Sequence, residues 1–361
     1  IAVGRLPAQN SEQADDMVDK IEKYLATPPS SGSTNRALLM ADSDNDNNFV
    51  TQAEALAAIV AEEKPSTMLY KAYDDLYPKD NDGATHYHNF VAATLQEGAC
   101  FMSYFGHGSP SAFGASDLWN STLAKSTFYP VPPLTVLGTC SPLSIDLSSD
   151  CIGAWMFINK NGGSIGVIGA QREVYMNYNF DIVEAVTRKY FTARPDATLG
   201  EIFRQAVNAN TDLQEERNRI KQEEFDKGNP GSTTILAIDS ALILNTRSYT
   251  FVGDPEIPAY APTHSAALTS VGGVAADDRV IEVEPLRPFS IEGTVNGPDG
   301  APDTSFNGEA TIMVYDSPRQ VKDVTSRPIP LDIATNQYPI LNLKARVAAG
   351  RFSATATLPV P

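Results

Sequence analysis

Two residues stand where an apolar, β-rich run stops. His107 ends FMSYFGH and Cys140 ends PLTVLGTC, 33 residues later, which leaves room for a crossover between two strands. A thiolate is the nucleophile in cysteine chemistry, and a nearby imidazole lowers the thiol's pKa and later protonates the leaving amine. Gly106 and Gly108 flank the histidine and let a substrate carbonyl approach the main chain. The Gly108 and Cys140 amides can then serve as an oxyanion hole. The same residues also suit a turn histidine and a buried small hydrophobe, since a lone His or Cys is more often structural.

A third candidate is Asp42, which follows the strand-like run RALLMA. Three readings of it stay open. It can orient the histidine ring. It can open a structural calcium loop, because Asp42, Asp44 and Asp46 have the initial EF-hand spacing, although Asn47 stands where that loop needs glycine and Glu54 falls one place late. Or DSDNDNN is a solvated acidic turn. Cys100 and Cys151 read as buried small hydrophobes, and a Cys140–Cys151 disulfide would disable the site. His86 and His88, two apart, can chelate a metal on a strand but sit beside a polar loop and read as surface residues. No dinucleotide fingerprint, phosphate loop or G-x-S-x-G elbow occurs.

The elements that must carry these residues follow from periodicity. Helical spacing predicts helices at 11–25, with Ser11 as N-cap, and at 51–63, 87–97, 152–159, 213–227 and 235–245. Apolar runs predict strands at 36–41, 66–73, 164–170 and 247–252 besides those ending near His107 and Cys140. Strands alternating with helices imply an α/β fold, a mostly parallel sheet with helices on both faces. Reactive groups in such sheets gather beyond the carboxyl ends of the strands. From about Pro262 the texture changes to short alternating runs at 280–283, 289–295, 310–315, 341–347 and 352–358, separated by turns such as GPDG. That pattern predicts a C-terminal β-sandwich of immunoglobulin-like type. The expected domains are therefore 1–261 and 262–361.

At 361 residues the chain exceeds the roughly 250–300 at which single cores stop growing. Its 27 basic and 44 acidic residues give a net charge of −17, which argues against nucleic acid or anionic lipid as a partner. The opening IAVGRLP lacks an initiator Met and a signal-peptide pattern, so the chain reads as a fragment.

At YFGHGSPSAFG and VLGTC the chain resembles the gingipain family of caspase-like cysteine peptidases. The likeness extends, in order, through VGRLP, LLMADSDND, YKAYDDLYP, GGSIGVIGA and VGDPEIP. Within that family it is most similar to the type IX secretion sortases, the PorU-type signal peptidases of Bacteroidetes, and FNGEATIMVYD and ARVAAGRFSATATLPVP look like the β-domain that follows their catalytic domain. The resemblance implies a protease that removes C-terminal signal domains from secreted cargo proteins and passes the acyl group to water or to an amine on anionic lipopolysaccharide. It implies a location on the outer-membrane surface, other secretion-system proteins as partners and no required cofactor. It makes Cys140 the nucleophile, His107 the general acid/base and the Gly108 amide an oxyanion donor, and it favours Asp42 as the orienting carboxylate. It also implies that a preceding subdomain is missing. Where arginine-specific gingipains carry an acidic S1 residue, this chain has Phe49, Val50 and Thr51. With Gln171, Arg172, Val174, Tyr175 and Asn177 as the other pocket wall, a small or polar P1 residue is expected. Two rival functions remain: a non-catalytic surface adhesin or secretion-scaffold module that keeps the fold, and a secreted gingipain-like protease with digestive substrates.

Overall fold

The computed structural model describes residues 1–26, 35–77, 81–114, 117–227, 244–277, 280–315, 319–322, 332–335 and 339–359. Helix α1 (Ser11–Ala26), strand β1 (Arg36–Ala41), helix α2 (Asn48–Glu63), strand β2 (Met68–Tyr73), helix α3 (Asn81–Glu97) and strand β3 (Phe101–Phe105) come first. A small hairpin of β4 (Ala112–Phe113) and β5 (Trp119–Asn120) leads into α4 (Ser121–Ser126) and β6 (Leu134–Gly138). Then come α5 (Ile152–Ile158), β7 (Gly166–Ala170), α6 (Met176–Phe191), α7 (Leu199–Asp226) and β8 (Tyr249–Gly253).

One six-stranded sheet gathers these strands in the order β2-β1-β3-β6-β7-β8, parallel except for β8. Every residue of β3, β6 and β7 is buried, which is why their sequences are continuous apolar runs rather than alternating ones. Helices α2 and α6 pack together against β1, β3 and β6, while α5, with α1 against it, covers β7 and β8. The chain leaves β1 for β2 on one side and returns to β3 on the other. That makes the β1/β3 junction a topological switch point, where open α/β sheets form crevices.

The C-terminal strands are β9 (Ser265–Val271), β10 (Val274–Ala275), β11 (Pro288–Asn296), β12 (Gly308–Tyr315), β13 (Arg319–Lys322), β14 (Asp332–Thr335), β15 (Pro339–Ala348) and β16 (Arg351–Thr357). Six of them form an antiparallel sheet, β10-β9-β11-β16-β15-β12, and β13 pairs with β14. β11 and β16 pair from Pro288↔Thr357 to Thr294↔Arg351, but β15 and β16 pair only beside their turn, at Val347↔Phe352 and Ala348↔Arg351. A separate small core of Ile291, Val295, Ile312, Val347 and Phe352 draws on strands from both sides of that junction.

Several expectations shift. Asn10, not Ser11, caps α1, accepting the Gln13 amide on its side chain at 2.9 Å. α3 starts at Asn81, so His86 and His88 lie on a helix. Two residues on a helix are about 200° apart, so the pair does not chelate one ion, and the His88 ring instead meets Trp119 edge-on. The helix expected at 213–227 is the second half of α7. α6 was not anticipated, although Ile182, Val183, Val186 and Tyr190 carry its buried face at helical spacing. Residues 280–283 form no strand and Val280 is 94% exposed, because alternation without a partner strand is no sheet. Most of the helix expected at 235–245 lies outside the described residues, and residues 244–248 are helical.

Leu137, fully buried in β6 three residues before Cys140, tests the sheet as the site's foundation. Leu137→Ala is expected to cost about 2–5 kcal/mol in urea unfolding. Leu147→Ala, at a position 68% exposed, should change stability by no more than about 0.5 kcal/mol.

Candidate active site

Strand register builds the site. Phe105 pairs with Gly138 in the parallel β3–β6 ladder, so His107 and Cys140 each lie two residues beyond the same rung, on neighbouring strands. Adjacent strands are about 4.8 Å apart, which makes the two residues lateral neighbours at the carboxyl edge of the sheet. Ala41 pairs with Phe105 on the other side, and the Asp42 amide donates to the Phe105 carbonyl at 2.9 Å. The sheet thus brings together Asp42, His107, Gly108 and Cys140.

The histidine turn is fixed through its main chain. The His107 carbonyl accepts the buried Tyr104 hydroxyl at 2.7 Å and the Gly114 amide at 2.8 Å. Thr139 Oγ1 donates to the Gly106 carbonyl at 2.7 Å, tying this turn to the residue before Cys140. A Cβ on Gly108 would stand 2.3 Å from Thr139 Oγ1 and 3.0 Å from the Cys140 carbonyl oxygen. Glycine is therefore required there by close approach, and its main chain lies directly against the cysteine. The imidazole itself is exposed, and its ring meets Phe49 edge-on with centroids 5.2 Å apart. Such a pair contributes about 0.5–1.5 kcal/mol beyond area burial, enough to favour one ring orientation severalfold.

The carboxylate of Asp42 does not meet the ring. Its Oδ2 accepts the His107 backbone amide at 3.3 Å and its Oδ1 the Ser43 amide at 2.9 Å. Asp42 is 3% exposed, and burial raises its carboxyl above the usual range against the opposing pull of those two amides. It braces the turn that carries the imidazole. The rest of the acidic loop has structural work: the Asp44 carboxylate accepts the amides of Asn48 and Phe49 at 3.1 and 3.3 Å, capping α2. No cluster of three or more potential metal-ligating His, Cys, Asp or Glu side chains occurs among the described residues.

Cys140 is half-buried, and the residue after it, Ser141, has φ of +60°, a left-handed conformation that typically costs a non-glycine residue about 1–3 kcal/mol. The Ser141 amide donates to the Arg172 carbonyl at 3.0 Å, which helps hold that turn. The thiol donates to the Val174 carbonyl at 3.4 Å and accepts the Val174 amide at 3.5 Å. Residues 171–175 thus form a rim beside the sulfur. The Gln171 carbonyl takes the Ser144 hydroxyl at 2.5 Å, and the Arg172 guanidinium forms a two-pronged pair with Asp146 at 2.5 and 3.0 Å. Tyr175 is 58% exposed at the start of α6, and Asn177 is exposed in its first turn.

On the opposite wall the expected pocket residues behave differently. Phe49 is 6% exposed and turned to His107, and Val50, 2% exposed, belongs to the core. Both lie on the buried face of α2, so Val50 offers no surface to a substrate. Sequence reasoning missed Tyr104 and Thr139, whose roles are hydrogen bonds to the main chain, and the buried trio Asn179, Asn245 and Tyr249 behind the rim. Among these, only the position of Thr139 and Tyr104 within the two motif runs was a signal.

All three cysteines are free. Burial pushes the Cys100 thiol up to about 12 and raises Cys151, which donates to the Pro142 carbonyl at 2.9 Å. Iodoacetamide at neutral pH should therefore modify Cys140 alone in the folded protein and all three after unfolding, as read by peptide mass spectrometry. Because the Asp42 oxygens accept the His107 and Ser43 amides, Asp42→Asn, which keeps one acceptor, should keep peptide cleavage within about tenfold, while His107→Ala loses at least about 10²-fold. A loss near 10⁴ in Asp42→Asn would instead mark a tautomer-fixing carboxylate.

Comparison with known proteins bears on the fold and the family. The fold matches the crystal structure of the Arg-specific cysteine proteinase gingipain R (RGPB) with a TM-score of 0.54 and 13% identity, over 98% of this chain and 68% of that one. The complex of Porphyromonas gingivalis RgpB pro- and mature domains gives 0.53 and 12%, over 98% and 69%. Dimeric latent PorU from Porphyromonas gingivalis gives 0.30 and 14%, over 89% and 39%, a score that carries no weight. At such identities the likeness concerns fold alone. No curated protein sequence matches the chain. The profile of peptidase family C25 matches residues 1–260, and the chain belongs to that family, the gingipain family of caspase-like cysteine peptidases.

Proposed function

We propose that this chain is a cysteine endopeptidase of the type IX sortase kind, which cuts C-terminal signal domains from cargo proteins at the outer-membrane surface. The observation that carries the catalytic part is the register that sets His107 and Cys140 beyond the same rung of adjacent strands, with Gly108 against the cysteine main chain. The Cys140 thiolate attacks the scissile carbonyl, and the Gly108 and Cys140 amides receive the negative oxygen. As the C–N bond breaks, His107 protonates the leaving amine and the acyl group stays on sulfur as a thioester. Water or a primary amine then attacks that thioester, His107 takes the incoming proton, and the C–S bond breaks to release the thiolate. Water gives hydrolysis, and an amine on anionic lipopolysaccharide gives a conjugate. Both outcomes share one intermediate and require no cofactor.

The sortase assignment draws on the segments FNGEATIMVYD and ARVAAGRFSATATLPVP, which belong to the C-terminal antiparallel unit. We assign 1–261 to the catalytic domain and 262–361 to an immunoglobulin-like sandwich. Two separate cores support this division. Specificity falls to the 171–175 rim. Arg172 there is paired with Asp146, and on the α2 side Phe49 stands beside His107 while Val50 is buried, which supports a small or polar P1 residue.

Incubation of a cargo protein bearing its C-terminal signal domain, followed by mass spectrometry of the new C-terminus, tests the reading. A trimmed or amine-conjugated terminus that disappears in Cys140→Ala is expected, with a small or polar residue at P1. Cleavage after Arg or Lys refutes the specificity, and unchanged cargo favours the non-catalytic scaffold.

A further inference from the structure

We propose that Asn245 is a positioning residue that holds the 171–175 rim at the height over Cys140 needed to clasp a peptide. This rests on Cys140 being the nucleophile, as proposed above. The rim is anchored at its start by the Gln171 amide on the Ser248 carbonyl at 2.8 Å and by the Ser141 amide on the Arg172 carbonyl at 3.0 Å. Among the described residues, the hydrogen bonds on the main chain of Glu173 and Val174 are the two long ones to Cys140 Sγ. The next fixed point is Tyr175, whose amide donates to Asn245 Oδ1 at 2.6 Å and whose carbonyl accepts the Tyr178 and Asn179 amides at 3.0 Å.

Asn245 can act as an anchor because it is itself fixed. It is 2% exposed, and its Nδ2 donates to Asn179 Oδ1 at 3.1 Å. The Tyr249 hydroxyl donates to the same Oδ1 at 3.0 Å. Asn179 lies on α6, one turn after Tyr175, and Tyr249 opens β8, the edge strand beside β7. The three side chains thus lock the start of α6 to the edge of the sheet. A buried amide is needed for this: losing it leaves the Tyr175 N–H without its acceptor, and the span between Arg172 and Tyr175 loses its tie to the sheet edge while keeping the Tyr175 carbonyl's bonds within α6 and the sulfur contacts. Such a span cannot oppose a substrate backbone with fixed geometry, and misplacement by about 1 Å can cost on the order of 10²-fold in reaction rate.

The test compares two electrophiles at Cys140. Iodoacetamide needs only an accessible thiol, whereas acetyl-Ala-Ala-Ala chloromethyl ketone must also be held by the rim. In Asn245→Ala the peptidyl reagent should react about tenfold to a hundredfold more slowly, while the iodoacetamide rate stays within about twofold. Asn245→Asp keeps an acceptor for Tyr175 and should recover part of the loss. Tyr249→Phe removes only the support behind Asn179 and should lose less than Asn245→Ala. Asn159→Ala removes another buried, hydrogen-bonded asparagine, one that serves the Ala124 and Thr127 carbonyls, and should leave both rates unchanged. An unchanged peptidyl rate in Asn245→Ala, or an equal fall in both rates, overturns the proposal. Wild-type Cys140 that reacts with iodoacetamide but shows no saturable reaction with the peptidyl reagent overturns the peptidase reading instead, and the positioning role with it.

Discussion

The site depends on one ladder. In a parallel pair the hydrogen bonds fix which residue faces which, so the pairing of Phe105 with Gly138 decides at once that His107 and Cys140 leave the sheet side by side. Strands buried on both faces hold that register strongly, because a slip by one residue would turn every side chain over and lose the core on both sides. Asp42, one residue past the rung Ala41↔Phe105, is placed by the same lattice. The geometry of the candidate site is a by-product of core packing in β1, β3 and β6.

Most of what surrounds the reactive pair acts on the main chain. Tyr104, Asp42 and Gly114 brace the His107 turn, Thr139 ties that turn to the cysteine strand, and Ser141 and Ser144 hold the rim. Side chains that support amides and carbonyls leave the imidazole exposed and the Cys140 thiol with main-chain contacts to Val174 alone among the described residues. The ring is left exposed, with the edge of Phe49 against it. The left-handed Ser141 just past Cys140 fits this pattern, since strain is kept where neighbouring bonds over-determine it.

The C-terminal unit shows a different balance. Its strands alternate, its core is small, and the β15–β16 link is confined to two pairs next to the turn. Sequence spacing was informative for β11, β12, β15 and β16, because each alternates against a partner. It misled at 280–283, where alternation has no neighbouring strand to pair with. It was silent on α6, whose first residues read naturally as pocket wall while its apolar face is spread over four turns.

By itself the sequence determined the kind of chemistry and its frame. An apolar run ending in Gly-His-Gly and another ending in Thr-Cys are readable because strand composition and motif order are local properties of the chain. The α/β class with its mostly parallel sheet was legible for the same reason. Only the tertiary structure decided what each group touches. Asp42 meets an amide rather than a ring, Val50 turns into the core, and Asn179, Asn245 and Tyr249 converge behind Val174 from separate elements. Those contacts depend on strand register, helix rotation and crossings between residues 65 to 70 positions apart, and no local pattern encodes them.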